Sequence, residues 1–156
     1  MGNRNHKVNG NQDGRERRHG SQMSHEDKQM LIDMLRSNLD FNGGLSYDAH
    51  ARGKRSRGDV SFETSHVDEI LAALEPDHVI EYSRGRKNGW LNQRLVIRNN
   101  DIVRPNVEIT YPSGDSRVVE NAVLCLVVQI EGSCLITAYW NDIEDDHDSI
   151  DMARYT

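Results

Sequence analysis

Two apolar runs late in the chain, Ala122–Ile130 and Cys134–Trp140, are separated only by Glu131-Gly132-Ser133, and this arrangement restricts the fold more than any other feature. Near-continuous apolar runs of this length read as strands buried on both faces. So short a connection leaves antiparallel pairing as the way to join them. With Glu131-Gly132 as a two-residue loop, Ile130 faces Ser133 and Gln129 faces Cys134. Cys125 then lies far out of register with Cys134, which argues against a disulfide and for two buried, reduced thiols.

Upstream the period is two residues as far back as Pro76. Val79–Ser83, Leu95–Ile97 and Val107–Tyr111 read as strands, with a basic turn at Arg84–Asn88 and a second turn at Pro112–Asp115. Before Pro76 the period is helical. Ser24 caps a first helix, with Asp27 three residues on, Met30, Leu31, Met34, Leu35 and Leu39 on one face, and Gly43-Gly44 as its stop. Ser46 caps a short second helix that runs to Arg57 before Gly58 breaks it. Ser61 or Ser65 opens a third, whose buried face is Val67, Ile70, Leu71 and Leu74. The expected fold is α+β: two or three N-terminal helices packed on a four- or five-stranded antiparallel sheet.

The net charge of −6 conceals a gradient. Residues 1–58 carry 11 Lys/Arg against 7 Asp/Glu, residues 59–140 carry 7 against 12, and residues 141–156 carry 1 against 6. Residues 1–22 have almost no large apolar side chain and read as a disordered basic arm; residues 23–140 form one domain; residues 141–156 are an acidic tail. No apolar run reaches the roughly 18 residues of a membrane span, and the polar start has no apolar signal region. The expected setting is the cytoplasm, with no membrane partner. Seven histidines are present, none at zinc spacing from a cysteine, so no metal is expected.

Chemistry concentrates between residues 50 and 57. His50 titrates near neutrality, and on a helix Lys54 and Arg57 share its side while Arg52 and Arg55 fall on another. A proton-transfer group beside a phosphate clamp is what RNA cleavage without a metal requires. A solvated basic helix has the same composition. An acidic chain repels nucleic acid overall, so RNA has to meet a local basic face.

The order helix, His-Ala helix, helix, then a meander closing on a strand that ends Thr137-Ala138-Tyr139 resembles the RelE/BrnT-like ribonuclease toxins of the barnase–EndoU–colicin–RelE group. The resemblance covers roughly residues 25–140 and rests on His50-Ala51, Lys54, Arg57-Gly58, Val60 and Ser61. It departs where the group has a serine two residues before the histidine, since position 48 is Asp and the serine is Ser46. The resemblance implies a metal-independent endoribonuclease without cofactor, acting on free or ribosome-bound RNA. His50 would be base or acid, Lys54 and Arg57 the phosphate clamp, and Tyr139 or Thr137 a donor. Arg52, Arg55, Arg84, Arg86 and Lys87 would steer the backbone, and Trp90 or Trp140 would stack a base unless they merely pack at the sheet edge. An antitoxin is the implied protein partner. The alternative is a non-catalytic protein on the same scaffold that binds and inhibits a host protein.

Overall fold

The longer apolar run is a central strand of a seven-stranded sheet in the computed structural model, which describes residues 13–49, 51–52, 62–110 and 113–145. In chain order the strands are β1 (Asp13–His19), β2 (Ser46–Tyr47), β3 (Val79–Lys87), β4 (Trp90–Ile97), β5 (Arg104–Thr110), β6 (Ser116–Gln129) and β7 (Cys134–Asp142). Helix α1 (His25–Asn42) follows β1, and helix α2 (Thr64–Ala72) precedes β3. The strand order is β1-β3-β4-β6-β7-β2, with β5 also paired to β6.

β6 organises this sheet because both of its edges are used. β7 runs antiparallel along one edge, with Gln129 opposite Cys134 and Cys125 opposite Tyr139. Neither cysteine is in a disulfide bond. The other edge is shared by two strands end to end: β4 pairs as far as Ile97 opposite Leu126, and β5 resumes with Arg104 opposite Ala122. One strand thus advances seven residues where β6 advances four, and the surplus loops out between β4 and β5. Buried Arg98 ties that loop to the end of β7, donating to the carbonyls of Asp142 (3.4 Å), Ile143 (3.2 Å) and Asp145.

Alternation along β6 sends its side chains to two different environments. Leu124, Leu126 and Val128 join Leu31, Ile32 and Leu35 of α1 and Val67 and Ile70 of α2 in the main core. Full burial of each such aliphatic side chain contributes about 1.5–3 kcal/mol. On the opposite face Val96 and Val127 form a smaller cluster with Ile80, Ile136 and Tyr139. That face also buries Arg17, Glu81, Ser83, Asn92, Arg94 and Thr137.

The expected fold is corrected in its strand count and in the order of its elements. Among the described residues there are seven strands rather than four or five, one strand precedes α1, and β2 follows α1 and runs parallel to β7. The polar segment assigned to a disordered arm is partly structural. Residues 13–19 pair with β3 as an edge strand, and Arg17 Nη2 meets Glu81 Oε1 at 2.8 Å with both side chains buried. Mutual neutralisation lets a strand without apolar residues bury the charged side chain of Arg17, which composition does not reveal.

The basic helix differs in its beginning. Ser46 lies in β2; the N–H of Asp48 bonds the carbonyl of Leu135 (2.9 Å), and the N–H of Arg52 bonds the carbonyl of Asp48 (2.9 Å). Asp48, not Ser46, therefore precedes the helical turn. α1 is capped by Ser24, whose hydroxyl accepts the N–H of Asp27 at 3.0 Å, and it ends at Gly43 with φ 75°. Its buried face is Leu31, Ile32 and Leu35, while Met30 is outside it. The N-cap of α2 is Glu63 rather than Ser65, and Ser61 lies outside the described residues. Asn141 and Asp142 belong to β7 and not to the tail.

Candidate nucleic-acid interface

β3 and β4 are joined by a two-residue turn, Asn88-Gly89, with φ of 54° and 81°. Left-handed backbone at both central positions is the hairpin geometry that Asn-Gly adopts most readily. The basic turn expected over residues 84–88 is thus shorter, and Arg84, Arg86 and Lys87 are strand residues. Lys87 opposes Trp90, Arg86 opposes Leu91, and Arg84 opposes Gln93. Residues opposite one another share a face. The alternation puts Lys87 and Trp90 on one face of the hairpin, and Arg84, Arg86 and Leu91 on the other.

All of these end-of-hairpin side chains are exposed except Gln93. Trp90 is 79% exposed, an open aromatic surface with cations on the adjoining strand. Arg86 Nη1 donates to the Gly89 carbonyl at 3.1 Å, which orients its guanidinium along the turn. The base of the hairpin is held firmly. Tyr82 donates to Gln93 Oε1 (2.6 Å), and Gln93 donates from its backbone N–H and from Nε2 to the two oxygens of Glu131 (2.8 Å each). Burial, the largest influence, pushes the Tyr82 phenol up, so it stays a neutral donor in this chain. A rooted base and an exposed end make a surface that can meet a ligand without reorganising.

Nothing among family models, curated proteins or solved structures matches this chain. The hairpin's chemistry follows from its own residues: cations that can neutralise phosphates, and an indole face that any nucleobase can stack on. Among the described residues no three His, Cys, Asp or Glu side chains gather to hold a metal ion, and no helix is long and apolar enough to cross a membrane.

The remaining residues singled out from the sequence fall in different places. Thr137 and Tyr139 lie on the same face of β7, opposite Val127 and Cys125. Thr137 is 3% exposed and, among the described residues, its Oγ1 has no hydrogen-bond partner. The Tyr139 phenol is pushed well above its ordinary value, first by burial and then by the neighbouring Cys125 and Glu81, with Arg98 opposing. It is a neutral hydroxyl at any physiological pH. Buried Arg94 lies on this face too; burial lowers its guanidinium while the charge of Asp48 works against that. Arg52 is exposed. His50, Lys54, Arg55 and Arg57 lie outside the described residues.

Trp140 is a packing residue. It lies half-buried against the main core, its ring 5.4 Å from that of His66 at 44°. His66 is buried, its Nε2 has no hydrogen-bond partner among the described residues, and its pKa is lowered by burial and then by Arg104, with Glu69 and Glu63 opposing. Sequence reasoning passed over Leu91 and the exact turn, although Asn88-Gly89 between polar-apolar alternations was a usable signal. The buried pair of Arg17 and Glu81, 64 residues apart, left no local signal.

Proposed function

We propose that this chain is a cytosolic RNA-binding protein of the ribonuclease-toxin type, which grips an unstacked single strand on the β3–β4 hairpin. The observation that carries the reading is the exposure, on one rooted hairpin, of Trp90 with Lys87 on one face and of Arg84 and Arg86 on the other. Stacking a base on an aromatic side chain is worth about 1–3 kcal/mol. Each neutralised phosphate adds a salt-dependent increment. The small number of cations fits a short single-stranded site better than a duplex groove.

On this reading, cleavage would be carried by residues 50–57. His50 takes the 2′-hydroxyl proton or returns one to the leaving oxygen, and Lys54 and Arg57 hold the charge that develops on phosphorus. Binding is tested with a labelled single-stranded oligoribonucleotide followed by anisotropy. Trp90→Ala should weaken it roughly 5- to 150-fold, the equivalent of one stacked base. Arg86→Ala and Lys87→Ala should each reduce the salt slope by about 1. Unchanged affinity in Trp90→Ala would sink the hairpin reading.

Cleavage is tested by expressing the chain in bacteria beside a His50→Ala, Lys54→Ala double variant. Relief of growth arrest in the variant, with 2′,3′-cyclic ends on RNA from cells expressing the parent, supports the chemistry. Equal arrest by both favours inhibition of a host protein by the same scaffold.

A further inference from the structure

The C-terminal end of α1 and the flank of α2 enclose a groove of about 380 Å³. Its apolar wall is Leu39, Leu45 and Leu71, and Asp40 and Asp68 stand at its rim beside the Gly43-Gly44 corner. We propose that this groove receives the end of the β3–β4 hairpin of a second copy of the chain, with Trp90 against the leucines, and with Lys87 on the same face and the Arg86 guanidinium at the turn against the two aspartates.

The argument is one of complementarity between two surfaces of the same molecule. The volume lies at the low end of the range for ligand pockets, room for one large side chain and part of its neighbour. The three leucines are only half-buried, so they retain apolar surface that an incoming ring would cover. Asp40 and Asp68 are exposed, and among the described residues neither has an ion-pair partner. α1 is 18 residues long and carries no basic residue in its last turn. The negative end of its dipole therefore adds to the two carboxylates instead of being offset by the cation that commonly sits there.

The hairpin offers the opposite of each feature. Trp90 is 79% exposed, exposed Lys87 stands opposite it on the same face, and the exposed Arg86 reaches the turn with its guanidinium on the Gly89 carbonyl. The open exposure of Trp90 also means that it does not fill the groove of its own chain. Tryptophan in an apolar pocket with a charged rim is the composition of an interaction hot spot.

Because groove and hairpin are different surfaces, the contact is heterologous, and copies add head to tail into a ring or an open chain. One hairpin end in one groove is a small contact, so association is weak and concentration-dependent. It covers the same Trp90 that RNA would use, so RNA and self-association compete. The proposal does not depend on the RNA reading, because its groove half is separate from the hairpin.

Sedimentation velocity at low salt between about 10 µM and about 1 mM tests it. The parent chain should sediment faster as concentration rises. Asp40→Lys with Asp68→Lys should abolish this, as should Trp90→Ala, with circular dichroism unchanged. Mixing the groove variant with an Arg86→Glu, Lys87→Glu hairpin variant should restore association through the reversed charges. A labelled cyclic peptide of residues 84–93 should bind the parent and lose affinity by more than about tenfold against the groove variant. A parent chain that stays monomeric to 1 mM overturns the proposal, as does association or peptide binding that survives reversal of both aspartates. The groove variant keeps the hairpin intact, so Trp90→Ala should weaken RNA binding by the same factor in its background as in the parent; failure of the two readings is thus told apart.

Discussion

Replacing Arg17 by methionine isolates the interaction that seats β1. The guanidinium and the Glu81 carboxylate are 2.8 Å apart, with side chains 4% and 3% exposed. Methionine keeps much of the stem's packing but removes the charge. It leaves Glu81 without this partner in a site that water does not reach. Breaking a buried pair in this way costs about 3–5 kcal/mol, a large part of the 5–15 kcal/mol typical of a whole domain. At this chain length each kcal/mol lowers Tm by about 2–4 °C, so the expected fall is roughly 6–20 °C. The double variant Arg17→Met, Glu81→Leu removes both charges and should recover most of the loss, because an apolar replacement of a buried pair is often neutral. Thermal and urea unfolding followed by circular dichroism measure all three differences. A cost for Arg17→Met within about 0.5 kcal/mol, the range of an ordinary surface change, would mean that β1 is not seated as described. A double variant no better than the single one would mean that the electrostatic account is wrong.

Three further perturbations test other parts of the fold. A Cβ at Gly20 would sit 2.2 Å from the Val79 carbonyl oxygen, a backbone atom at the start of β3, so Gly20→Ala should cost about 1–3 kcal/mol in urea unfolding. Thr137→Val exchanges a buried hydroxyl without a partner for a methyl of equal size, and should raise the urea midpoint by an amount equivalent to about 1–2 kcal/mol. His66 has its folded-state pKa lowered by burial, so below its ordinary value of 6.5 the unfolded chain binds the proton first. Stability should therefore be full above that value and be lost as the pH falls through it. Tm measured from pH 7.5 down to pH 5 should fall more steeply in the parent than in His66→Phe, and parallel curves would contradict the assignment.

Several elements were legible because their causes are local. The capped start of α1 at Ser24 and its glycine end at Gly43 depend on side chains within a few residues. The register of Gln129 with Cys134 follows from a short turn between two runs too apolar to face water. The cations of β3 and Trp90 could be grouped from sequence alone, since a two-residue turn must bring its flanking strands together. The alternation of Thr137 and Tyr139 onto one face is equally local. That their face is buried is not, because it depends on what β1, β3 and β4 bring across it.

From its order of residues alone, the chain determined that its two most apolar runs pair as an antiparallel hairpin, and that basic and aromatic side chains meet near residues 84–90. Tertiary structure alone decided that a polar N-terminal stretch becomes strand β1, that β4 and β5 share one edge of β6, and that Asp40 and Asp68 stand at an apolar groove. The physical reason is the range of the interactions. Caps, turns and alternation act over a few residues, whereas burial of Arg17 depends on a carboxylate 64 positions away that exists as a partner only once the sheet has formed.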